Sequence, residues 1–201
     1  RKVIIISSFI IFPASIGLGL IAKPLVLTLI GEKWLPTVPF LQILCVSGAI
    51  YHLHVINLNL LKVVGRSDLF LKLHIIRNVL VTIAIIVGIQ FGIWGLLVGK
   101  VLSSYLALYI NLYYTRMFIN YSMKDQIIDL VPILLQLIPM SFIVYFLVNF
   151  MQIPKPIILI ASITAGIITY IVSNIFIKPK ALLMVINLFK NKFPLLKKID
   201  I

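Results

Sequence analysis

Long stretches without a charged residue recur along this chain. Residues 3–22, 130–154 and 156–177 contain no charge, which gives runs of 20, 25 and 22 residues. An α-helix needs roughly 20 apolar residues to cross a bilayer, because the hydrocarbon core is about 30 Å thick and each residue rises about 1.5 Å. Each of these stretches is therefore long enough to span a membrane.

The hydropathy pattern predicts six membrane-spanning helices in all. Their predicted bounds are 3–22, 38–61, 71–90, 93–114, 130–151 and 157–177. The strands of a membrane barrel alternate apolar and polar side chains, whereas these stretches are apolar all round. The predicted fold is therefore all-α, a polytopic membrane helix bundle of about six helices. Residues 1–177 form the transmembrane segment and residues 178–201 form a basic tail.

Composition strengthens the case for a membrane protein. The chain has 201 residues, of which 62% are hydrophobic and only 11% are charged. Its mean hydropathy is +1.16. Soluble domains carry about 25% charged residues, so a soluble fold is excluded. The single cysteine, Cys45, has no partner for an internal disulfide and is predicted to be a small buried residue.

The net charge of +13 does not indicate nucleic-acid binding. The basic residues lie in short segments between the spans, where membrane proteins concentrate their cytoplasmic positive charge. With six crossings, 14 of the 18 lysines and arginines fall on one side, three fall on the other and Lys100 falls inside a span. This bias predicts that both ends of the segment are cytoplasmic. Lysines alternate with apolar residues in 178–201, which predicts an amphipathic helix on the inner leaflet.

Two cations fall inside predicted spans. A Lys or Arg near the bilayer centre costs at least about 2.5–3.5 kcal/mol unless it is accommodated. Lys100 follows the turn into the fourth span, and Arg77 lies in the inner part of the third. Each either extends its long side chain to the nearer surface or points into a water-filled cavity, where it would attract an anion. Both alternatives stay open from the sequence.

The second predicted span holds the densest group of polar residues. Ser47, Tyr51, His52, His54, Asn57, Asn59 and Lys62 cover more than half of the helix circumference. Such a helix must be packed by neighbours or line an aqueous space. His54 and Asn57, three residues apart, either contact a sugar or phosphate together or hydrogen-bond to other helices. His52 and His54 face different directions and have no third ligand, so no metal site is predicted.

The sequence gives no indication of covalent catalysis. The five acidic residues all lie in loops, at span ends or in the tail, and no carboxylate is deeply embedded. The chain has no phosphate-cradling glycine loop, nucleophile elbow or metal-ligand cluster. We therefore expect neither an enzyme nor a bound cofactor, and no ion coupling through an embedded carboxylate in this segment.

Three short motifs carry a resemblance to a known family. They are Gly31-Glu32-Lys33-Trp34, Gly65-Arg66-Ser67-Asp68 and Gly92-Ile93-Trp94-Gly95, each at the end or the beginning of a predicted helix. Their order and spacing over residues 24–105 resemble the C-terminal part of the lipopolysaccharide and O-antigen exporters. These exporters belong to the multidrug/oligosaccharidyl-lipid/polysaccharide superfamily. The last two spans match only in hydropathy.

The resemblance implies part of a two-lobed transporter of 12–14 helices in the bacterial cytoplasmic (inner) membrane. Such transporters flip undecaprenyl-diphosphate-linked oligosaccharides to the outer leaflet by alternating access, for cell-surface polysaccharide biosynthesis. The partners implied are the lipid-linked oligosaccharide, membrane lipids and other membrane proteins of polysaccharide assembly. The cavity candidates that this segment offers are Lys100, Arg77, His54, Asn57, Tyr105 and Tyr109. Lys100 departs from the family pattern, in which a small polar residue is more common at this position.

Three other functions stay open. A drug/cation antiporter of the same superfamily shares the helix layout but commonly uses an embedded carboxylate. A membrane-embedded glycosyl- or acyltransferase would present catalytic acidic or histidine residues in an interfacial loop, and the loops here are short. A structural membrane subunit is the third alternative.

Overall fold

The computed structural model describes residues 1–119, 121–151, 153–177, 179 and 181–184. Every regular element in these residues is helical. The helices are α1 (Lys2–Leu20), α2 (Ala22–Leu29), a 3₁₀ helix (Glu32–Thr37), α3 (Val38–Val63), α4 (Ser67–Ile89), α5 (Gly92–Ile119), α6 (Met123–Phe150) and α7 (Lys155–Ile177). Six helical segments in this part of the chain are long and apolar enough to cross a membrane. The predicted all-α bundle with six spans is confirmed.

Helix α3 occupies the middle of the arrangement. Helices α1 and α5 both pack against it, and α5 pairs with α4 in a hairpin. On the other side α1 contacts α6, α6 pairs with α7 in a second hairpin, and α2 packs on α7. The two hairpins therefore flank a central pair formed by α1 and α3.

Helix α1 carries a proline, and the chain breaks again before α2. Pro13 has no N–H, so the carbonyl of Phe9 loses its normal helical donor. The hydroxyl of Tyr170 in α7 donates to this carbonyl at 2.8 Å. At the end of α1, Nε2 of Gln42 in α3 donates to the carbonyl of Gly19 at 3.2 Å. Side chains from neighbouring helices thus satisfy backbone groups at both irregular points.

The α4–α5 hairpin is held close by glycines. Gly92 begins α5 with φ of 67°, a conformation that favours glycine. A Cβ placed on Gly95 would overlap with the carbonyl oxygen of Gly88, and one on Gly99 would lie 2.9 Å from the carbonyl oxygen of Ala84. The small residues therefore let the two backbones touch, as expected for helix packing in membranes.

Helix α6 begins earlier than its apolar run predicts. It starts at Met123, whereas the predicted span starts at residue 130. The Ser122 hydroxyl accepts from the Asp125 N–H at 3.2 Å, and the Asp125 carboxylate accepts from the Ser122 N–H at 3.0 Å. This capping box starts the helix within the polar segment, because it satisfies N–H groups that the first turn leaves free.

Basic residues gather at one end of the bundle. The guanidinium of Arg1 makes two hydrogen bonds of 2.6 and 2.7 Å to Asp129 at the start of α6. The guanidinium of Arg66, just before α4, lies 4.7 Å from the centroid of the Phe118 ring near the end of α5. We call this end, at which α1, α4 and α6 begin and α3 and α5 finish, the basic end. That it faces the cytoplasm stays a prediction.

Only the beginning of the predicted basic tail is described. Residues 181–184 are helical, and Ala181 is buried in a cluster that includes Ile4 and Tyr121 at the basic end. Residues 178, 180 and 185–201, which contain most of the predicted amphipathic tail, lie outside the described residues.

Candidate functional site

A line of buried polar side chains connects α3 to three other helices. In α3, Ser47, His52, His54 and Asn57 are buried. Nε2 of His52 lies 2.9 Å from the hydroxyl oxygen of Ser8 in α1. Ser8 itself is completely buried, so this contact joins α1 and α3 away from water.

His54 faces α5. Its Nδ1 lies 2.8 Å from Nδ2 of Asn111, which can only donate. Nδ1 of His54 is therefore the acceptor of this hydrogen bond. Asn111 is 2% exposed, so the pair forms a buried polar contact between the two helices.

Asn57 faces α6. Its amide and that of Gln126 exchange two hydrogen bonds of 2.9 and 3.2 Å, and both residues are buried. His54 and Asn57, the proposed sugar-binding pair, are thus engaged with different neighbouring helices. We call the set Ser8, His52, His54, Asn57, Asn111 and Gln126 the polar seam.

Arg77 contacts the aromatic face of α3. Its guanidinium carbon lies 5.1 Å from the centroid of the Tyr51 ring, and its Nη2 is 3.5 Å from the Tyr51 hydroxyl. The Tyr51 ring is stacked on His54 with centroids 6.1 Å apart. Ten residues separate Ser67 from Arg77, so Arg77 lies about 15 Å along α4 from the basic end. Arg77 is thus near the middle of α4.

Lys100 lies on α5 near the same region. Gly99 is in contact with Ala84, so Lys100 is at about the level of residue 83, about 9 Å along the hairpin from Arg77. Lys100 and Arg77 are both half-buried. We call Arg77, Lys100, Tyr51 and His54 the cationic cluster.

The two predicted tyrosines are on the exposed side of α5. Tyr105 is 49% exposed and Tyr109 is 64% exposed. Tyr109 lines a separate cleft together with Arg116. The structure therefore brings Arg77, Lys100 and His54 into one region, while Asn57 belongs to the seam and Tyr109 to another surface.

Sequence reasoning missed the partners of the seam. Asn111 is a single amide within an apolar run, and that isolation is the signal that points to it, whereas Ser8 follows Ser7 and Gln126 lies in the charged segment before residue 130. Within the described part of the chain, no three His, Cys, Asp or Glu side chains lie close enough together to hold a metal ion.

Comparison with known proteins gives partial matches. A sequence family described as "Polysaccharide biosynthesis protein" matches residues 1–39. An "uncharacterized membrane protein in cps region" from Klebsiella pneumoniae is 52% identical over 48 residues, which is 24% of this chain and 10% of that protein. The "lipopolysaccharide biosynthesis protein WzxC" of Escherichia coli K12 is 33% identical over 89 residues, which is 44% of this chain and 18% of that protein. No solved structure matches the chain significantly.

The matched segments cover between a tenth and a fifth of the length of these relatives. The matching family is named for polysaccharide biosynthesis, and the Escherichia coli relative is named for lipopolysaccharide biosynthesis. The predicted resemblance to part of a polysaccharide exporter is confirmed. The chain is a multi-pass membrane protein similar to part of these longer proteins.

Proposed function

We propose that this chain is part of a transporter that flips lipid-linked oligosaccharide across the bacterial cytoplasmic membrane. The substrate is an undecaprenyl-diphosphate-linked oligosaccharide destined for cell-surface polysaccharide. In this proposal the chain is a transporter and not an enzyme, and its basic end faces the cytoplasm. The observation that supports the proposal is the cationic cluster, which contains two half-buried cations, Arg77 and Lys100. The chain that carries them is similar to polysaccharide biosynthesis proteins.

The diphosphate is the obstacle to spontaneous flipping. Moving a charged group through the hydrocarbon without compensation is strongly unfavourable. Fixed cations along a protein path remove part of that penalty, because they replace the attraction that water provides. Arg77 suits this role, since a guanidinium can make two parallel hydrogen bonds to phosphate oxygens. Its contact with the Tyr51 ring restrains the side chain near the middle of α4.

Lys100 is the second cation in this path. At about 9 Å from Arg77 along the hairpin, it can receive a phosphate that leaves the first cation. Exposed Tyr105 supplies a hydroxyl and an aromatic face for a sugar on the same helix. The amide and imidazole groups of Asn57 and His54 are occupied by other helices in this state. They contact substrate only if α3 separates from α5 and α6.

Alternating access is the mechanism that this arrangement supports. The lobe containing this chain rocks against the rest of the transporter, so that the cations face first one leaflet and then the other. The lipid tail stays in the bilayer throughout. Membrane proteins of polysaccharide assembly deliver the substrate and receive the product.

The test uses the full-length protein in cells that lack their own copy. We expect Arg77→Ala and Lys100→Ala each to lower surface polysaccharide about tenfold, because a charge-assisted hydrogen bond contributes about 1.5–3 kcal/mol. Undecaprenyl-linked precursor should accumulate inside the cell. Arg77→Lys should retain partial export, since it keeps the charge and loses the paired geometry.

The matched control is Lys72→Ala, which removes one exposed positive charge from the same helix. It should leave export unchanged. If Arg77→Ala and Lys100→Ala are both present in the membrane at normal levels and export normally, the cationic cluster has no role in transport and the proposal fails.

A further inference from the structure

A cleft of about 410 Å³ opens between the end of α5 and the beginning of α6, at the basic end. Two other large clefts, one beside α1 and α7 and one in the α4–α5 hairpin, have almost entirely apolar walls. The α5–α6 cleft differs because two cations line it, Arg116 from α5 and Lys124 from α6. None of its residues belongs to the cationic cluster.

The walls of this cleft change from charged to apolar along its length. Tyr109, Leu112, Tyr113 and Arg116 recur at three- and four-residue intervals, so they share one face of α5. Arg116 is seven residues from Tyr109, or about 10 Å closer to the basic end. On α6, Ile127 extends the apolar wall away from the basic end. The cleft therefore has a cationic mouth and an apolar, aromatic interior.

The two cations at the mouth are available to a ligand. Arg116 and Lys124 are exposed, and neither makes an ion pair with another described residue. The neighbouring carboxylate of Asp125 is engaged by Ser122 in the capping box. Lys124 lies in the first turn of α6, where the helix dipole disfavours a cation. Its position is thus not explained by the stability of its own helix.

We propose that this cleft binds an anionic phospholipid, with the head-group phosphate between Arg116 and Lys124. The guanidinium of Arg116 bonds to phosphate oxygens, and Lys124 adds a second positive charge. One acyl chain lies along Leu112 and Ile127. A free phosphate ion would use the mouth alone, whereas the apolar interior matches a molecule that also carries a hydrocarbon chain. This site is independent of what the transporter moves.

The identification of the lipid rests on the proposed orientation: with the basic end in the cytoplasm, the cleft lies at the inner leaflet, which contains anionic lipids. Juxtamembrane lysines and arginines each gain about 1 kcal/mol near an anionic leaflet. Tyrosines are enriched at the level of lipid head groups, and Tyr113, near the end of α5, is exposed. A bound lipid would hold the ends of α5 and α6 together where few other contacts join them.

The experiment is native mass spectrometry of the full-length protein in detergent, titrated with phosphatidylglycerol. We expect the Arg116→Ala/Lys124→Ala variant to bind it about tenfold more weakly than the unmodified protein, the size of effect expected for a hydrogen bond to a charged group. The control variant Lys2→Ala/Lys72→Ala removes two exposed charges outside the cleft and should bind normally. Arg116→Lys should give an intermediate affinity, because only the paired geometry is lost.

Two further arms identify the ligand. Phosphatidylcholine with the same acyl chains should bind weakly to all variants, since it has no net charge. Inorganic phosphate at constant ionic strength should not displace phosphatidylglycerol. Equal loss of lipid in the cleft and control variants would mean that general surface charge explains binding, and displacement by inorganic phosphate would mean an anion site. Either result overturns the proposal.

Discussion

Replacing Tyr170 by phenylalanine removes a single hydroxyl from the contact between α7 and α1. The Tyr170 hydroxyl donates at 2.8 Å to the Phe9 carbonyl, which has no helical donor because residue 13 is proline. The two rings lie with centroids 5.4 Å apart, and phenylalanine preserves that packing. Hydrogen bonds between membrane helices average about 0.6 kcal/mol and reach about 1.7. Because the carbonyl has no other helical donor, we expect Tyr170→Phe to cost about 1–1.7 kcal/mol, the upper part of this range.

A double-mutant cycle tests the stated cause. Pro13→Ala returns an N–H to position 13, and this N–H can bond to the Phe9 carbonyl. In the Pro13→Ala background, Tyr170→Phe should therefore cost much less than it does alone. The free energy of unfolding of the full-length protein is measured by denaturant titration in mixed micelles. Tyr145→Phe, at an exposed tyrosine, serves as the control and should have little effect. An equal cost of Tyr170→Phe with and without Pro13 would refute the reasoning.

The remaining predictions concern packing inside the bundle. Asn57→Leu should destabilise the protein by about 1–3 kcal/mol because the buried amide of Gln126 loses its partner, and adding Gln126→Leu should recover part of the loss. If the double variant is as unstable as the sum of both single ones, the amides are not paired. Gly95→Ala should cost about 1–3 kcal/mol because its Cβ meets the backbone of Gly88. Gly48→Ala, where a Cβ meets nothing within 4 Å, should be neutral or stabilising in the same denaturant titration.

The spans were predictable because a bilayer imposes a length on every crossing helix. The apolar runs located all six in the described part of the chain. The start of α6 was not located by hydropathy, since the first turn contains Lys124 and Asp125. A local rule would have found it. Ser122 and Asp125 have the spacing of a capping box, which begins a helix whether or not its first turn is apolar.

The partners of the polar residues were not predictable to the same extent. A single sequence shows that α3 has polar groups around more than half of its surface, and the structure shows that neighbours bury four of them, Ser47, His52, His54 and Asn57. The sequence does not show which helix supplies the partner of each polar residue. His54 and Asn57 are three residues apart, so their directions differ by about 60° around the helix axis. That angle is enough for one to face α5 and the other to face α6.

The polar residues of a helix, rather than an apolar stripe, explain why α3 lies at the centre of the bundle. In a bilayer an apolar surface can face lipid without penalty, so it gives a helix no reason to be central. A helix with several hydrogen-bonding groups must find partners for them. Accordingly α3 has ten buried residues, four of them polar, while α4 has two, Leu73 and Gly88. Arg77 is therefore unusual, because it adds a charge near the middle of the helix with the fewest buried residues. Within the described residues, its recorded contacts are with the ring and the hydroxyl of Tyr51.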